Sequence, residues 1–347
     1  MSSGAKQLLC FLLALLLAGL IGCAHVPAPQ PTENTAPLQT SAPADTDAPE
    51  QTTLPTETPA PTVDPETLQS ESEALSGYQG AVPSAVTVEA PGILEKADGG
   101  AVIDYSNTDQ GYIMVQFTEQ TEQRLKVQVK GPSTTYTYNL TPQQWTAFPL
   151  SDQNGEYRIV VYRNVVDSKY AAVLSLNIPV TLTDEFAPFL HSNQYVNYDA
   201  APNARALARS LTAGMDAPLD QVAAVYDYVI GSLAYDYELA ATVKSGYLPD
   251  LDLALEKSSG ICFDYAALMT GMLRSLGIPA KLVVGYAGEV YHAWISVWSE
   301  ETGWVDGVIF FDGSAWKRMD PTFAANGDAS ILEYIGNGSN YTAKYFY

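Results

Sequence analysis

A helical pattern of apolar positions runs from Ser258 to Gly277. Apolar residues recur there at three- and four-residue steps, which predicts one amphipathic helix with a single buried face. The predicted face consists of Tyr265, Leu268, Met269, Met272, Leu273 and Leu276. Gly277 stands where a left-handed residue commonly ends a helix, and Pro279 prevents the helix from continuing. The rest of the chain is interpreted around this helix.

The N-terminus of the predicted helix contains the first candidate reactive residue. Ser258 or Ser259 is expected to cap it with a side-chain oxygen. Cys262 then lies in the first turn, where unpaired backbone N–H groups and the positive end of the helix dipole favour an anion. We therefore expect the thiolate of Cys262 to form more easily than that of an ordinary cysteine.

Residues 79–182 show a different pattern, in which apolar and polar residues alternate or short β-branched runs appear. Five segments read as strands, namely GYIMVQF, RLKVQVKG, TTYTYNL, GEYRIVVYRNV and YAAVLSLNIPV. Turn sequences such as Thr108–Gly111 and Asp152–Gly155 separate some of them. This spacing predicts an all-β, Ig-like sandwich domain of about seven strands, with no cluster of titratable residues that would carry out chemistry.

Residues 183–347 are expected to form a second, α+β domain. Helical periodicity covers Asn203–Thr212 and Pro218–Ser232, with Asp216 as an expected cap, and a shorter helix is predicted at Leu251–Lys257. Strands are predicted after the Cys262 helix, at Ala280–Tyr286, His292–Ser299, Gly303–Val308 and Trp316–Met319. Helices followed by an antiparallel run favour a helix packed on a sheet.

The N-terminal residues are interpreted as a targeting signal. Lys6 precedes an apolar run, Leu8–Ile21, that is short for a membrane span. The run ends at Cys23 and resembles the lipobox of bacterial lipoproteins, which predicts a signal peptide at residues 1–22 and lipidation of Cys23. An ordinary secretory signal or an uncleaved anchor remains the alternative.

Composition separates residues 23–78 from the rest of the chain. Pro, Thr, Ala, Ser, Gln and Glu dominate this segment, and it contains neither Lys nor Arg. Such a segment buries too little apolar surface to offset the entropy lost on ordering, so we expect a disordered, extended tether.

Residues 79–347 carry 30 acidic and 16 basic residues, a formal charge of −14. This balance argues against nucleic-acid binding, which needs clustered Lys and Arg.

Few residues of the predicted domains can act as a nucleophile or a base. Cys10 leaves with the signal and Cys23 would be lipidated, so Cys262 remains as a single free thiol. A cysteine nucleophile needs an imidazole to hold and deliver the proton and a third group to orient that imidazole. His292 opens one predicted strand and Asp320 closes another, which makes Cys262, His292 and Asp320 the candidate catalytic set. Each of them alone would equally fit an inert core thiol, a hydrogen-bonded strand residue and a turn-former.

Ordered motifs around these three positions resemble the core of the transglutaminase-like superfamily. They are Gly260–Ala266, Leu273–Lys281, Gly285-Tyr286, His292-Ala293-Trp294 and Asp320-Pro321-Thr322. The resemblance covers roughly residues 215 to 325. It implies a papain-like α+β core, with Cys262 as nucleophile, His292 as general base and acid, and Asp320 as its orienting partner. Tyr235-Asp236-Tyr237 is also similar to a segment that precedes the cysteine in such proteins, and no catalytic role is assigned to it.

Some positions depart from the pattern of the family. Lys281 stands where many members have Arg, and Ser296 where an acidic residue often follows the His-Ala-Trp motif. Asp306 or Asp312 could replace Asp320 as the orienting group, but Asp320 is preferred because Pro-Thr follows it. No EF-hand loop or Cys/His metal spacing is present, so no cofactor is expected, although calcium dependence in some relatives leaves an irregular oxygen site open.

These observations predict a lipid-anchored enzyme on the extracellular face of a bacterial membrane. It would act on amide or peptide bonds through a thioester at Cys262, and either water or an amine would accept the acyl group. Protein or peptide substrates are expected, with cell-wall peptides among the candidates. The alternative is a non-catalytic lipoprotein that binds peptides or serves in adhesion or as a scaffold.

Overall fold

The computed structural model describes residues 87–299, 303–305, 309–311, 316–318 and 341–347. The predicted signal peptide, the tether and Cys23 lie outside these residues, as do Asp306, Asp312 and Asp320. The described chain is strand-rich up to Val180 and mixes helices with strands beyond it. The predicted fold class, an α+β region preceded by an all-β region, is therefore confirmed. The predicted domain boundaries remain predictions.

Eight strands form the N-terminal region. They are β1 (Glu95–Asp98), β2 (Ala101–Asp104), β3 (Tyr112–Phe117), β4 (Leu125–Lys130), β5 (Thr135–Leu140), β6 (Thr146–Pro149), β7 (Gly155–Val166) and β8 (Lys169–Val180). Two four-stranded antiparallel sheets result, with strand orders β1-β2-β3-β6 and β5-β4-β7-β8. Alternation decides which side chains face inward: Leu125, Val127 and Val129 of β4 are buried, whereas Lys130 is exposed. About seven strands were expected, and the more specific Ig-like assignment remains a prediction.

Five α-helices follow in the described chain. They are α1 (Pro202–Leu211), α2 (Pro218–Ser232), α3 (Tyr237–Thr242), α4 (Leu251–Lys257) and α5 (Cys262–Ser275). A proline at the first position starts both α1 and α2, because the missing N–H would have no partner there in any case. The prediction that Asp216 caps α2 is wrong, since the N-cap residue is Ala217 and its side chain makes no capping bond.

The C-terminal region contains an antiparallel sheet with strand order β13-β12-β11-β16. Its strands are β11 (Ala280–Ala287), β12 (Val290–Ser299), β13 (Gly303–Val305) and β16 (Tyr341–Phe346). Two smaller strand pairs are present among the described residues of this region: parallel β9 (Ala234–Tyr235) with β10 (Ser259–Gly260), and antiparallel β14 (Ile309–Phe311) with β15 (Trp316–Arg318). Strand β16 was not predicted.

Helix α5 lies at the centre of this region. Every residue from Asp264 to Ser275 is buried, so the prediction of one buried face and one solvated face is wrong. Strands β11 and β12 contact α5, and so do α1, α2 and α4, which covers the helix on all sides. Close packing reaches the backbone at Gly271, where an added Cβ would lie 2.5 Å from a methyl carbon of Leu251. The helix ends as predicted, with Gly277 in the left-handed region at φ 82°.

Aromatic side chains join the two regions of the described chain. Tyr136 and Tyr138 of β5 contact Tyr347, with ring centroids 5.7 and 5.9 Å apart. Tyr195 contacts Tyr138 at 5.9 Å and Tyr347 at 4.6 Å. One continuous cluster of buried apolar residues therefore includes both regions. None of the helices in the described chain is sufficiently long and apolar to span a membrane.

Candidate active site

Cys262 is the first residue of α5 and is partly buried. Its helix begins later than expected, because Ile261, not Ser258 or Ser259, is the N-cap residue. Ser258 instead ends α4 in the left-handed region. Ser259 pairs with β9 in the short strand β10. The backbone of Ser258 ends α4 and that of Ser259 pairs with β9, so α5 can start only after these two residues.

Asp264 completes the start of this helix from within its first turn. One carboxylate oxygen of Asp264 accepts the N–H of Ile261 at 2.9 Å, and the other accepts the hydroxyl of Tyr247 at 2.7 Å. The carboxylate is buried, with 2% of the residue exposed. Burial raises its pKa, while the bonds from Ile261 and Tyr247 act in the opposite direction. The side chain of Ile261 has no oxygen, so Asp264 supplies the capping acceptor.

Gly260 makes this arrangement sterically possible. A Cβ at position 260 would lie 2.6 Å from the Cβ of Asp264 and 3.0 Å from one of its carboxylate oxygens. The segment is also held by backbone hydrogen bonds from Asp236 N–H to Gly260 O and from Ala234 N–H to Ser258 O, each 2.9 Å long. Strand β9 therefore fixes the chain that leads into Cys262, and Gly260 leaves room for the carboxyl group.

Two tyrosines, Tyr235 and Tyr291, lie within electrostatic reach of the thiol. Burial raises the pKa of Tyr235, and negative charge at Cys262 adds to this rise, which places the two side chains within electrostatic reach of each other. Burial likewise raises the pKa of Tyr291, with Cys262 among the contributing charges. Tyr237, which is exposed, packs edge-on against Tyr235 with 5.0 Å between ring centroids. The Tyr235-Asp236-Tyr237 segment singled out in the sequence thus lies beside the candidate nucleophile.

His292 lies near the start of β12 and is buried, with 4% of the residue exposed. It pairs across the sheet with Gly285 of β11. Its ring is 6.3 Å from the ring of Trp294 and 6.4 Å from the ring of Tyr341, between centroids. Gly285 permits this packing, since a Cβ there would lie 2.9 Å from the indole of Trp294 and would overlap the backbone of β16.

The structure places two of the three predicted catalytic residues on elements that contact each other. Cys262 starts α5, His292 lies on β12, and this helix packs against this strand. Asp320 lies outside the described residues, as do the alternatives Asp306 and Asp312. The triad as a whole therefore remains a prediction.

The two departures from the family pattern have defined surroundings. The Lys281 ammonium lies 3.6 Å from the centre of the Trp304 ring, 5.0 Å from that of Phe189 and 5.4 Å from that of Phe346. Such contacts stabilise a cation through the ring quadrupole. Ser296 is buried on β12. Lys281 therefore serves as a structural contact between the sheet and the segment at residues 187–189.

Comparison with known families agrees with this arrangement. Residues 205–307 match the model of the transglutaminase-like superfamily. This segment is a transglutaminase-like domain. Cys262 and His292 both lie inside it, and Asp320 lies beyond its end. Members of this superfamily are typically cysteine enzymes, and the predicted family is confirmed.

Individual relatives match this chain over part of their length. The Bacillus subtilis protein YebA, which carries no functional description, is 31% identical over 179 residues, covering 45% of this chain and 24% of that protein. A protein-glutamine gamma-glutamyltransferase of Pseudomonas aeruginosa is 34% identical over 119 residues, covering 30% of this chain and 17% of that protein. The chain thus spans about a quarter or less of both relatives. Among solved structures, a candidate cysteine protease of Cytophaga hutchinsonii aligns over 68% of this chain and 76% of its own, with 15% identity and a TM-score of 0.35.

Two residues of the transglutaminase-like domain were missed in the sequence. Asp264 stands three residues after the N-cap, the position of the acidic partner in a capping box, but the N-cap residue is Ile261 and not the Ser or Thr that signals this motif. Tyr247 lies in the segment between α3 and α4, and no local pattern predicts its hydrogen bond to a residue 17 positions later. Among the described residues, no group of three or more His, Cys, Asp or Glu side chains is arranged to hold a metal ion.

Proposed function

We propose that this chain is a cysteine enzyme that acts on amide or peptide bonds through a thioester at Cys262. The observation that carries the proposal is the position of Cys262. It is partly accessible at the first turn of a buried helix, and that helix packs against the strand that holds His292. The helix N-terminus favours the thiolate, and a nearby imidazole can hold the proton that the thiol releases.

The reaction has two steps. In the first, the Cys262 thiolate attacks the carbonyl carbon, and backbone N–H donors such as that of Cys262 stabilise the oxyanion. The imidazolium of His292, oriented by Asp320, gives its proton to the leaving amine or ammonia as the carbon–nitrogen bond breaks. In the second step, water or a primary amine attacks the thioester while His292 takes its proton, and the thiolate is released. Water makes the enzyme a peptidase or amidase, and an amine makes it an acyltransferase.

Location and substrate belong to the same proposal. Lipidation of Cys23 would anchor the chain to the outer face of a bacterial membrane, and residues 23–78 would hold the enzyme away from that surface. Substrates within reach would be proteins or peptides of the cell surface, including cell-wall peptides. The γ-glutamyltransferase among the relatives favours a glutamine carboxamide as the acyl donor.

The proposal is tested with the full-length chain and its Cys262→Ala variant. Each is incubated with a glutamine-containing protein and a labelled primary amine, and separately with cell-wall peptides, and products are identified by mass spectrometry. Amine incorporation that requires Cys262 identifies an acyltransferase. Cleavage or deamidation that requires Cys262, without incorporation, identifies a hydrolase. Equal inactivity of both proteins, together with an unreactive thiol, contradicts the proposal and favours the peptide-binding alternative.

A further inference from the structure

The first turn of α5 leaves two backbone donors beside the thiol. The first hydrogen bonds to the helix start come from the N–H groups of Asp264 and Tyr265, both to Ile261 O. Within the described part of the chain, the N–H groups of Cys262 and Phe263 have no acceptor. In most helices a Ser, Thr or Asp at the N-cap would occupy one of the first N–H groups. Ile261 cannot do so, and both donors stay available for an oxyanion.

Asp264 stabilises the turn without using these donors. Its carboxylate reaches back to the N–H of Ile261, which lies outside the helix, at 2.9 Å. The helix start is therefore fixed at Cys262, while the N–H of Cys262 itself remains unpaired within the described chain. A conventional cap would stabilise the helix equally well but would point a side-chain oxygen at the place where the reacting carbonyl must lie.

Tyr247 holds Asp264 in this position. Its hydroxyl donates to the second carboxylate oxygen at 2.7 Å, so both oxygens are satisfied. The segment that carries Tyr247 is itself tethered. Tyr247 N–H donates to Lys244 O at 3.2 Å, and Gly246, at φ 88°, comes so close to β5 that an added Cβ would lie 2.7 Å from Nδ2 of Asn139. A single hydroxyl thus connects residues 244–247 to the turn that presents the thiol.

The Asp264 carboxylate has charged and polar neighbours. Burial and the charge of Asp236 raise its pKa, whereas the bonds from Ile261 N–H and the Tyr247 hydroxyl and the charge of Lys257 lower it. The hydrogen bond from Tyr247 therefore holds the carboxylate in place and also favours its charged form.

We propose that Asp264 and Tyr247 are a positioning pair for the nucleophile. They fix the start of α5 at Cys262 and leave the N–H groups of Cys262 and Phe263 open to the oxyanion. The proposal deepens the proposed function and rests on it for its kinetic consequences. Its effect on the start of the helix can be measured without any substrate.

Tyr247→Phe tests the positional part, with Tyr162→Phe in β7 as a control that makes the same chemical change in the sandwich. On the Cys262-dependent reaction, Tyr247→Phe is expected to lower kcat about tenfold or more with little change in KM, since the bound substrate would meet a misplaced turn. Tyr162→Phe should match wild type. Equal kcat for the two variants would overturn this part of the proposal.

Asp264→Asn tests the charged acceptor and keeps the shape of the side chain, with Asp227→Asn on the exposed face of α2 as its control. The measurement is hydrogen exchange at the amide of Ile261, which needs no turnover. Exchange should be about fivefold or more faster than in wild type, because a neutral amide accepts the Ile261 N–H more weakly than a carboxylate does. An unchanged exchange rate contradicts the proposal. Faster exchange in a protein without any turnover would support the pair and reject the proposed function. If Tyr247→Phe does not fold, Asp264→Asn alone decides.

Discussion

Gly260→Ala is the substitution whose effect follows most directly from the geometry around Cys262. The added Cβ would lie 2.6 Å from the Cβ of Asp264 and 3.0 Å from its carboxylate. The backbone at position 260 is not in the left-handed region, so the only obstacle to alanine is space. The obstructing atom is close to the backbone of a buried helix and cannot move as the end of a flexible side chain could.

The magnitude has two sources. Forcing a methyl group into a packed site costs about 1–3 kcal/mol. If Asp264 moves aside, the hydrogen bonds from Ile261 N–H and the Tyr247 hydroxyl weaken, and bonds to a charged acceptor contribute about 1.5–3 kcal/mol each. Movement of Asp264 relieves the steric cost but weakens its hydrogen bonds, so the two costs do not add in full. The expected loss in the free energy of unfolding is about 2–4 kcal/mol.

Urea unfolding of wild type, Gly260→Ala and Gly231→Ala measures this loss. Gly231 lies in α2, and a Cβ there would meet no atom within 4 Å. Alanine should therefore leave α2 unchanged or stabilise it by up to about 1 kcal/mol. The same chemical change is thus expected to have opposite signs at the two sites.

A second comparison isolates the contact itself. Asp264→Gly removes the atom that the new methyl group would meet, so the penalty of Gly260→Ala should largely disappear in that background. Stability of Gly260→Ala within about 0.5 kcal/mol of wild type would refute the steric argument, as would an equal penalty in both backgrounds.

Three further predictions concern the sheet and the segment that leads to it. Burial lowers the pKa of His191 from 6.5 to about 4. As pH drops, the unfolded chain therefore binds the proton before the folded chain does, and the free energy of unfolding should fall by roughly 3 kcal/mol between pH 6.5 and 4. Urea unfolding at several pH values measures this loss, which His191→Gln should remove. Lys281→Met should lose about 1–2 kcal/mol, as measured by thermal unfolding, because the ammonium packs on Trp304. Gly285→Ala would overlap the carbonyl of Thr342, so hydrogen exchange should show β16 unprotected; protection equal to wild type would contradict the packing.

The sequence predicted those helix ends that are set by a residue at the end itself, such as a proline or a glycine. Helix α2 runs from Pro218 to Ser232 as expected, because a proline at the first position and an apolar stripe define it. The end of α5 was also predicted, since Gly277 can adopt the left-handed conformation. Cys262 was expected in the first turn of its helix and lies there. His292 was expected to open its strand, which in the structure begins two residues earlier, at Val290.

The remaining features depend on contacts between distant segments. The start of α5 was wrong because Ser258 is required to end α4 and its carbonyl is bonded to β9, which the periodicity of α5 cannot reveal. Strand β16 was missed because half of its residues are exposed and its pairing with β11 is fixed by tertiary packing. The burial of α5 on all sides likewise depends on which helices and strands cover it.

The central claim is that Cys262 forms a thioester with an amide substrate. The most direct test is to mix the full-length chain with a glutamine-containing peptide, quench in acid, and measure the mass of the intact protein. We expect an acyl adduct on Cys262 that hydroxylamine removes and that Cys262→Ala never forms. An unmodified Cys262 during turnover, or the same products from Cys262→Ala, would contradict it.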